Sequence, residues 1–398
     1  MNAPKNAPVN VPDTAPLRGT RVVELSTMIT APLAGMMLAD MGADVIKVER
    51  PDGGDPFRSF RGGAYSPHFC AYNRNKRSVA LDLRSDEGRK VLRALLQDAD
   101  VLLDNFRPGV LDRLGFSDTA LTELNPRLVR CNISGFGRSG PYAQRPAYDA
   151  VAQAIAGMSS LFVDPEAPAL SGPTISDNVT GLYAAYGILA ALFERERSGV
   201  GRRVDVNMLE ATAAFMPDPF HYYGQMGLVS DPYLRVRTSQ SYAFRCSDGR
   251  LLNVHMSSQE KFWTGFLSAI ERPELATDPR FATREGRIEN YFALAEAAQT
   301  SFSTRTRAEW AARLAEADVP FASVNSVPEA LADPQAEHLG TFMELEHPTE
   351  GTVRTVRNPV WIDGTRDGQP RTAPPTLGEH TEEILAEIAE RTGSGAAA

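Results

Sequence analysis

The sequence is poor in cysteine, with three in 398 residues. Cys70, Cys131 and Cys246 are far apart, odd in number and without CxxC spacing. That excludes a disulfide framework and a zinc knuckle and suits unpaired buried thiols in a reducing compartment. A basic surplus is missing too: the formal net charge is −9. General nucleic-acid binders need the opposite sign, although a local basic pocket for a phosphorylated ligand remains compatible. No apolar run approaches the roughly 20 residues that span a bilayer, and the N-terminal arm, Met1 to about Ala15, has no apolar core of signal-peptide type. The expected setting is therefore cytoplasmic, with neither nucleic acid nor membrane as partner. Common catalytic signatures are absent as well. There is no GxGxxG and no P-loop, and "GDPFRSFRGG" (Gly54–Gly63) reads as a surface loop. "SGFGRSG" (Ser134–Gly140) is not a GxSxG elbow, and Ser139 has no assignable base. The six histidines are scattered without paired ligand spacing, so no metal site is expected.

What is present is alternation. Thr20–Leu25 ("TRVVEL") reads as a strand, Ala31–Met41 as a helix and Asp44–Glu49 ("DVIKVE") as a second strand. Such a unit implies neighbouring parallel strands. Strands at Ser78–Leu83, Val101–Leu103, Leu128–Ile133 and Arg203–Met208 follow, separated by helices at Ser85–Gln97, Val110–Leu114 and about Val179–Ser198. Strand and helix alternating over this length predict an open α/β sheet covered on both faces. From about Leu228 the texture changes to hairpin strands at Tyr242–Phe244 and Leu251–His255, then helices near Glu260–Ala269, Ile288–Ser301 and Thr306–Ala317. A Pro- and Gly-rich stretch, His347–Pro375, precedes a last helix at Thr381–Arg391, and the tail from Gly393 is expected to fray. The expected plan is a large domain over 16–228, a small α+β domain over 229–335, and a return to the large domain over 336–392.

Two aspartates stand at predicted helix starts. Asp177 follows a Gly/Pro turn and precedes an apolar helix, and Asp149 precedes the helix beginning at Ala150. Each has an ordinary reading as a helix N-cap, because aspartate accepts from exposed backbone N–H groups. Each also has a functional reading, because a helix N-terminus favours the ionised carboxylate that nucleophilic attack requires. Arg50, Arg84 and Arg113 lie at or just past strands or short helices of the first domain. There a guanidinium fork suits phosphate; solvated surface arginine is the alternative.

Taken in order, Leu17–Arg58, Asn73–Arg89, Ala99–Phe116, Asn125–Tyr142, Tyr148–Gly157, Gly181–Ala211 and Leu377–Leu385 resemble the family III CoA-transferases, the group that includes α-methylacyl-CoA racemases. The resemblance implies a Rossmann-like large domain with a smaller α+β domain and an interlocked-ring homodimer. It implies an acyl-CoA:carboxylate CoA-transferase acting on acyl-CoA and carboxylic acid substrates. Coenzyme A would be a substrate moiety, with no cofactor bound permanently. By positional matching the catalytic aspartate falls at Asp177, passing through aspartyl anhydride and aspartyl-CoA thioester intermediates. Coenzyme A would be held by Met28, Arg50, Leu81, Arg84, Asn105, Phe106, Arg113 and Met208, with Arg50, Arg84 and Arg113 serving phosphates and adenine. Asp149 would support Asp177.

Two departures from the family pattern bear on the reaction. The racemase branch carries a histidine where this chain has Tyr148. Tyrosine, with a pKa near 10, is a poor proton acceptor at neutral pH, which favours transfer over racemisation. The glycine run that forms a lid in formyl-CoA transferases is missing from "RVRTSQSYAF" (Arg235–Phe244), which argues against formyl/oxalate specificity. Arg235, Arg237 and Tyr242 are candidates for recognising the second carboxylate of a dicarboxylic acid, with ordinary surface exposure the alternative reading. The competing readings are a 2-methylacyl-CoA isomerase and a non-catalytic coenzyme A-binding protein.

Overall fold

The computed structural model describes residues 12–60 and 65–393. The chain divides into two compact units. One comprises the chain up to Ser159, Gly172–Pro217 and the segment from Gly340; the other comprises Ser160–Ser171 and Asp218–Leu339. The second unit thus begins earlier than 228 and takes in a short excursion before the long helix.

The first unit is built on six parallel strands: β1 (Arg21–Leu25), β2 (Asp44–Glu49), β3 (Lys76–Ala80), β4 (Val101–Asp104), β5 (Val129–Ser134) and β6 (Arg203–Asn207). Their order is β3-β2-β1-β4-β5-β6, with β1 paired to both β2 and β4. The order reverses between β1 and β4, so a crevice opens beyond the carboxyl ends of those strands. Apolar side chains point to both faces. Val22, Val45, Leu103 and Cys131 pack with Ala31, Ala34, Ala184 and Ile188 on one side. Val23, Ile46, Val79 and Leu102 pack with Leu92, Leu95, Leu96 and Ile384 on the other. A sheet buried on both faces reads as continuous apolar runs, which is why most of these strands were legible.

Small residues bring the helices Thr30–Asp40 and Ser176–Ser198 close together. A Cβ on Gly181 would lie 2.6 Å from the Thr30 carbonyl oxygen. Gly199, at φ +73°, ends the long helix as expected. The C-terminal helix Thr381–Gly393 returns to the first unit. Arg77 pairs with Asp44, Glu383 and Glu387, and Arg21 with Asp44 and Glu387.

In the second unit, β7 (Ser241–Arg245), β8 (Leu251–His255) and β9 (Phe321–Ser323) form an antiparallel sheet. Its core is aromatic: Phe244 stacks on Phe302 at 4.1 Å, and Tyr242 on Tyr291 at 4.5 Å. The first unit also holds the antiparallel hairpin β10 (Phe342–His347) and β11 (Gly351–Val356).

The structure departs from the sequence reading in several places. Strand β3 begins at Lys76 rather than Ser78, because Lys76 and Arg77 are buried as ion pairs with Glu24 and Asp44. The long helix begins at Ser176, so Asp177 lies inside its first turn; its N-cap residue is Ile175. Asp149 is likewise the first residue of its helix, Asp149–Ile155, with Tyr148 at the N-cap position. The predicted helix Ile288–Ser301 is two helices that break at Asn290. Part of the Pro- and Gly-rich stretch is hairpin β10–β11. Ala15 is buried; the rest of the predicted arm up to residue 11, and the tail from 394, lie outside the described residues. So do residues 61–64 of the glycine-rich segment, which is no plain surface loop, since Asp55, Phe57 and Arg58 in it are buried. All three cysteines are free and buried. Among the described residues no helix is long and apolar enough to cross a membrane.

Candidate active site

Two adjoining cavities occupy the crevice of the first unit and share Thr27 and Phe106. The smaller, about 300 Å³, is lined by Met28, Asn105, Phe106, Met208 and Asp177 among others. The larger, about 550 Å³, is lined by Arg50, Leu81, Arg84 and Phe106. The structure therefore gathers eight of the ten residues singled out in the sequence along one crevice. Asp149 stands behind Asp177. Arg113 lies exposed at the end of the helix Val110–Arg113 and lines neither cavity.

The crevice wall is set by reciprocal hydrogen bonds across the point where strand order reverses. The Thr27 N–H donates to Asn105 Oδ1 at 3.1 Å, and Asn105 Nδ2 donates to the Thr27 carbonyl at 2.8 Å. The Asn105 side chain is thus occupied as a clamp on the loop after β1. Next to it Met28 has φ +69°, a left-handed conformation that costs a non-glycine residue roughly 1–2 kcal/mol. Asp55 holds it there, since Oδ1 accepts from the Met28 N–H at 3.2 Å and from the Phe57 N–H at 2.9 Å. Asp55 Oδ2 in turn meets Lys47 Nζ at 3.0 Å, and Lys47 reaches Glu24 at 3.1 Å. Burial opposes the charge on Lys47, but Asp55, Glu24 and Glu49 more than offset it and raise its pKa above the ordinary value. Beside it Arg58 forks onto both oxygens of Glu49 and donates to the Pro375 carbonyl.

Phe106 is placed from below. The Asp104 carboxylate accepts from the Phe106 N–H at 3.1 Å and from Asn132 Nδ2 at 2.7 Å. Burial pushes Asp104 up to about 7 despite these bonds. In the larger cavity Arg84 is tied through its fork to Asp82, at 2.9 and 3.0 Å. Arg50 donates from Nε to the Gly54 carbonyl at 3.0 Å, and among the described residues it forms no ion pair.

Asp177 does not cap its own helix. Its N–H donates to Asp149 Oδ1 at 3.1 Å, while Asp149 Oδ2 accepts from Gln153. Among the described residues the Asp177 carboxylate accepts no hydrogen bond, and it lines the cavity. Burial, and then the Asp149 charge, push Asp177 up to about 7. The N-terminal end of the helix dipole acts the other way. A carboxylate in this setting is a stronger base and nucleophile than one in water.

A profile of CoA-transferase family III matches residues 17–381. The chain belongs to CoA-transferase family III. It is 31% identical to human succinyl-CoA:glutarate CoA-transferase, over 94% of this chain and 86% of that one. It is 33% identical to acetyl-CoA:oxalate CoA-transferase of Acetobacter aceti, over 94% and 96%. Among solved structures, a CAIB/BAIF family protein from Brucella suis superposes with a TM-score of 0.83 at 32% identity, covering 94% of this chain and 99% of that one.

The sequence reading of this CoA-transferase passed over Asp55, Asp104, Arg107 and Arg145. The last two line the smaller cavity, yet nothing in their local sequence separates them from surface arginines. The second-unit residues considered for a distal carboxylate are engaged elsewhere. Tyr242 is 2% exposed inside the aromatic core, Arg237 pairs with Asp231 at 2.7 Å, and Arg235 lies 3.8 Å from Asp218.

Proposed function

We propose that this CoA-transferase moves coenzyme A between an acyl-CoA and a free carboxylic acid, with Asp177 as nucleophile. The observation that carries the reading is the Asp177 carboxylate itself. It is unbonded, raised in pKa, and open to the cavity lined by Met28, Phe106 and Met208. The Asp177 carboxylate attacks the donor thioester carbonyl, expelling coenzyme A thiolate and leaving a mixed anhydride. The thiolate attacks the aspartyl carbonyl and expels the donor acid, which leaves an aspartyl-CoA thioester. The acceptor carboxylate then attacks this thioester and expels the thiolate again. In the last step the thiolate attacks the acceptor-side carbonyl of the second anhydride, yielding the new acyl-CoA and regenerating Asp177. Each step exchanges one activated acyl bond for another, which is the advantage of covalent catalysis.

Met28, Leu81, Phe106 and Met208 pack the apolar parts of coenzyme A, and Arg50 meets phosphate. Arg84 does so by exchanging Asp82 for it. Asn105 acts through the Thr27 clamp. Asp149 is a positioning residue that orients the amide of Asp177 and raises its basicity. Arg113 is exposed and lines neither cavity, so this reading gives it no part in holding coenzyme A. The parallel sheet in the order β3-β2-β1-β4-β5-β6 supports a Rossmann-like description of the large domain. A homodimer is supported by the long helix, which exposes Leu182, Tyr186 and Phe193 at helical spacing at 50%, 69% and 69%; the interlocking of its chains is what the family resemblance implies. A cytoplasmic setting is supported by the free buried cysteines.

The deciding experiment is turnover of Asp177→Ala with a panel of acyl-CoA and acid pairs, alongside its circular dichroism and coenzyme A affinity. Loss of transfer with fold and affinity retained is expected. Near-normal turnover rules out the mechanism, and loss of the fold moves the test to Asp177→Asn.

A further inference from the structure

We propose that Arg145 is a specificity-determining residue that binds the distal carboxylate of a dicarboxylic acyl group held on Asp177; this rests on the function proposed above. Arg145 lines the same cavity of about 300 Å³ as Asp177. Its guanidinium is laid on two rings, 4.5 Å from the centroid of Tyr142 and 5.8 Å from that of Phe136. Those rings meet edge to face at 5.9 Å. Such a seat fixes the plane of the fork and leaves its N–H edge open.

Like Arg50, Arg145 forms no ion pair among the described residues, whereas several other arginines of the same unit do. Arg58 is matched by Glu49, Arg74 by Asp40, Arg77 by Asp44 and Arg84 by Asp82. An exposed guanidinium held by aromatic rings on the wall of a cavity that also contains a nucleophilic carboxylate, with no carboxylate of its own, is a site for an anion brought by the substrate. Arg107 also lines the cavity, but it borders a second, small cavity with Asp104, Asp112 and Asp118. Among the described residues Arg107 lies over no aromatic ring, so its fork is not held in one plane as that of Arg145 is. Phosphate is the other anion the substrate carries. The crevice already offers Arg50 and Arg84 for it in the adjoining cavity, which leaves Arg145, on the wall of the cavity that holds Asp177, for the acyl end.

The test compares two donors that differ only in the distal carboxylate, glutaryl-CoA and valeryl-CoA, with acetate as common acceptor. In the wild type kcat/KM should favour glutaryl-CoA. Arg145→Gln should lower kcat/KM for glutaryl-CoA about 10- to 100-fold, the loss expected for a charge-assisted forked contact. Valeryl-CoA should change by less than about threefold. Arg145→Lys, which keeps the charge and loses the fork, should fall between. Equal losses for both donors would place Arg145 on a phosphate and overturn the proposal. So would unchanged kinetics with either donor, or a wild type that does not distinguish them. Absence of transfer from either donor in the wild type overturns the proposed function itself, and this inference with it.

Discussion

The Asp149 carboxylate caps the helix that carries Asp177: Oδ1 accepts the Asp177 N–H at 3.1 Å, while Gln153 holds the other oxygen. One carboxylate thus fixes the backbone beneath another and raises its pKa. Replacing Asp149 by Asn keeps an acceptor for the amide and removes the charge. The Asp177 pKa, raised by burial and by Asp149, should then fall. The acid limb of the kcat/KM profile, near pH 7 in the wild type, should move to lower pH with little change in melting temperature. Asp149→Ala removes the cap as well and should cost about 1 kcal/mol of stability. A pH–rate series with thermal melts separates the two effects.

Asp177 should also be a site where function opposes stability. With a native pKa of about 7 against 3.8 ordinarily, the folded state keeps its proton where the unfolded chain has lost it. The contribution of Asp177 to stability should therefore decline as pH rises from about 4 to about 7 and stay level above that. Asp177→Asn escapes this loss. Its advantage in urea denaturation should be negligible near pH 4 and reach about 1–3 kcal/mol at pH 8.

Much of the first unit was legible because a sheet covered on both faces demands apolar strands, as in Val22, Val23 and Leu25 of β1. The start of β3 was not. Lys76 and Arg77 look like loop residues until Glu24 and Asp44, distant in sequence, arrive to neutralise them. In β10–β11 the alternating charges of Glu344, Glu346 and Arg354 belong to an exposed hairpin face and hide the strands. Within the site, type and position pointed to Asp177, but the Asp149 cap joins two helices and leaves no trace in either. Arg113 shows the converse limit, because a position at the end of a short helix after a strand does not say whether the side chain faces the crevice or the solvent.

Close helix packing behind the site gives a structural prediction. Gly181→Ala would set a Cβ 2.6 Å from the Thr30 carbonyl oxygen. It should destabilise by about 1–3 kcal/mol despite the better helix propensity of alanine. Because Thr30 lines the cavity, coenzyme A affinity should weaken in parallel. Equilibrium denaturation and calorimetric titration of this variant check both.

Arg50, in the larger cavity, and Arg113, outside both, should differ. Arg50→Ala should weaken coenzyme A binding about tenfold, with a shallower salt dependence. Arg113→Ala should change affinity by less than about threefold. Titration of coenzyme A into each variant across a salt series is the measurement.

The chemistry turns on a covalent bond to one side chain. The direct measurement is peptide mass spectrometry after the enzyme has been incubated with an acyl-CoA and quenched with hydroxylamine. A hydroxamate on Asp177, formed only when thioester is present, is the predicted result. An unmodified Asp177 peptide during ongoing turnover would contradict it.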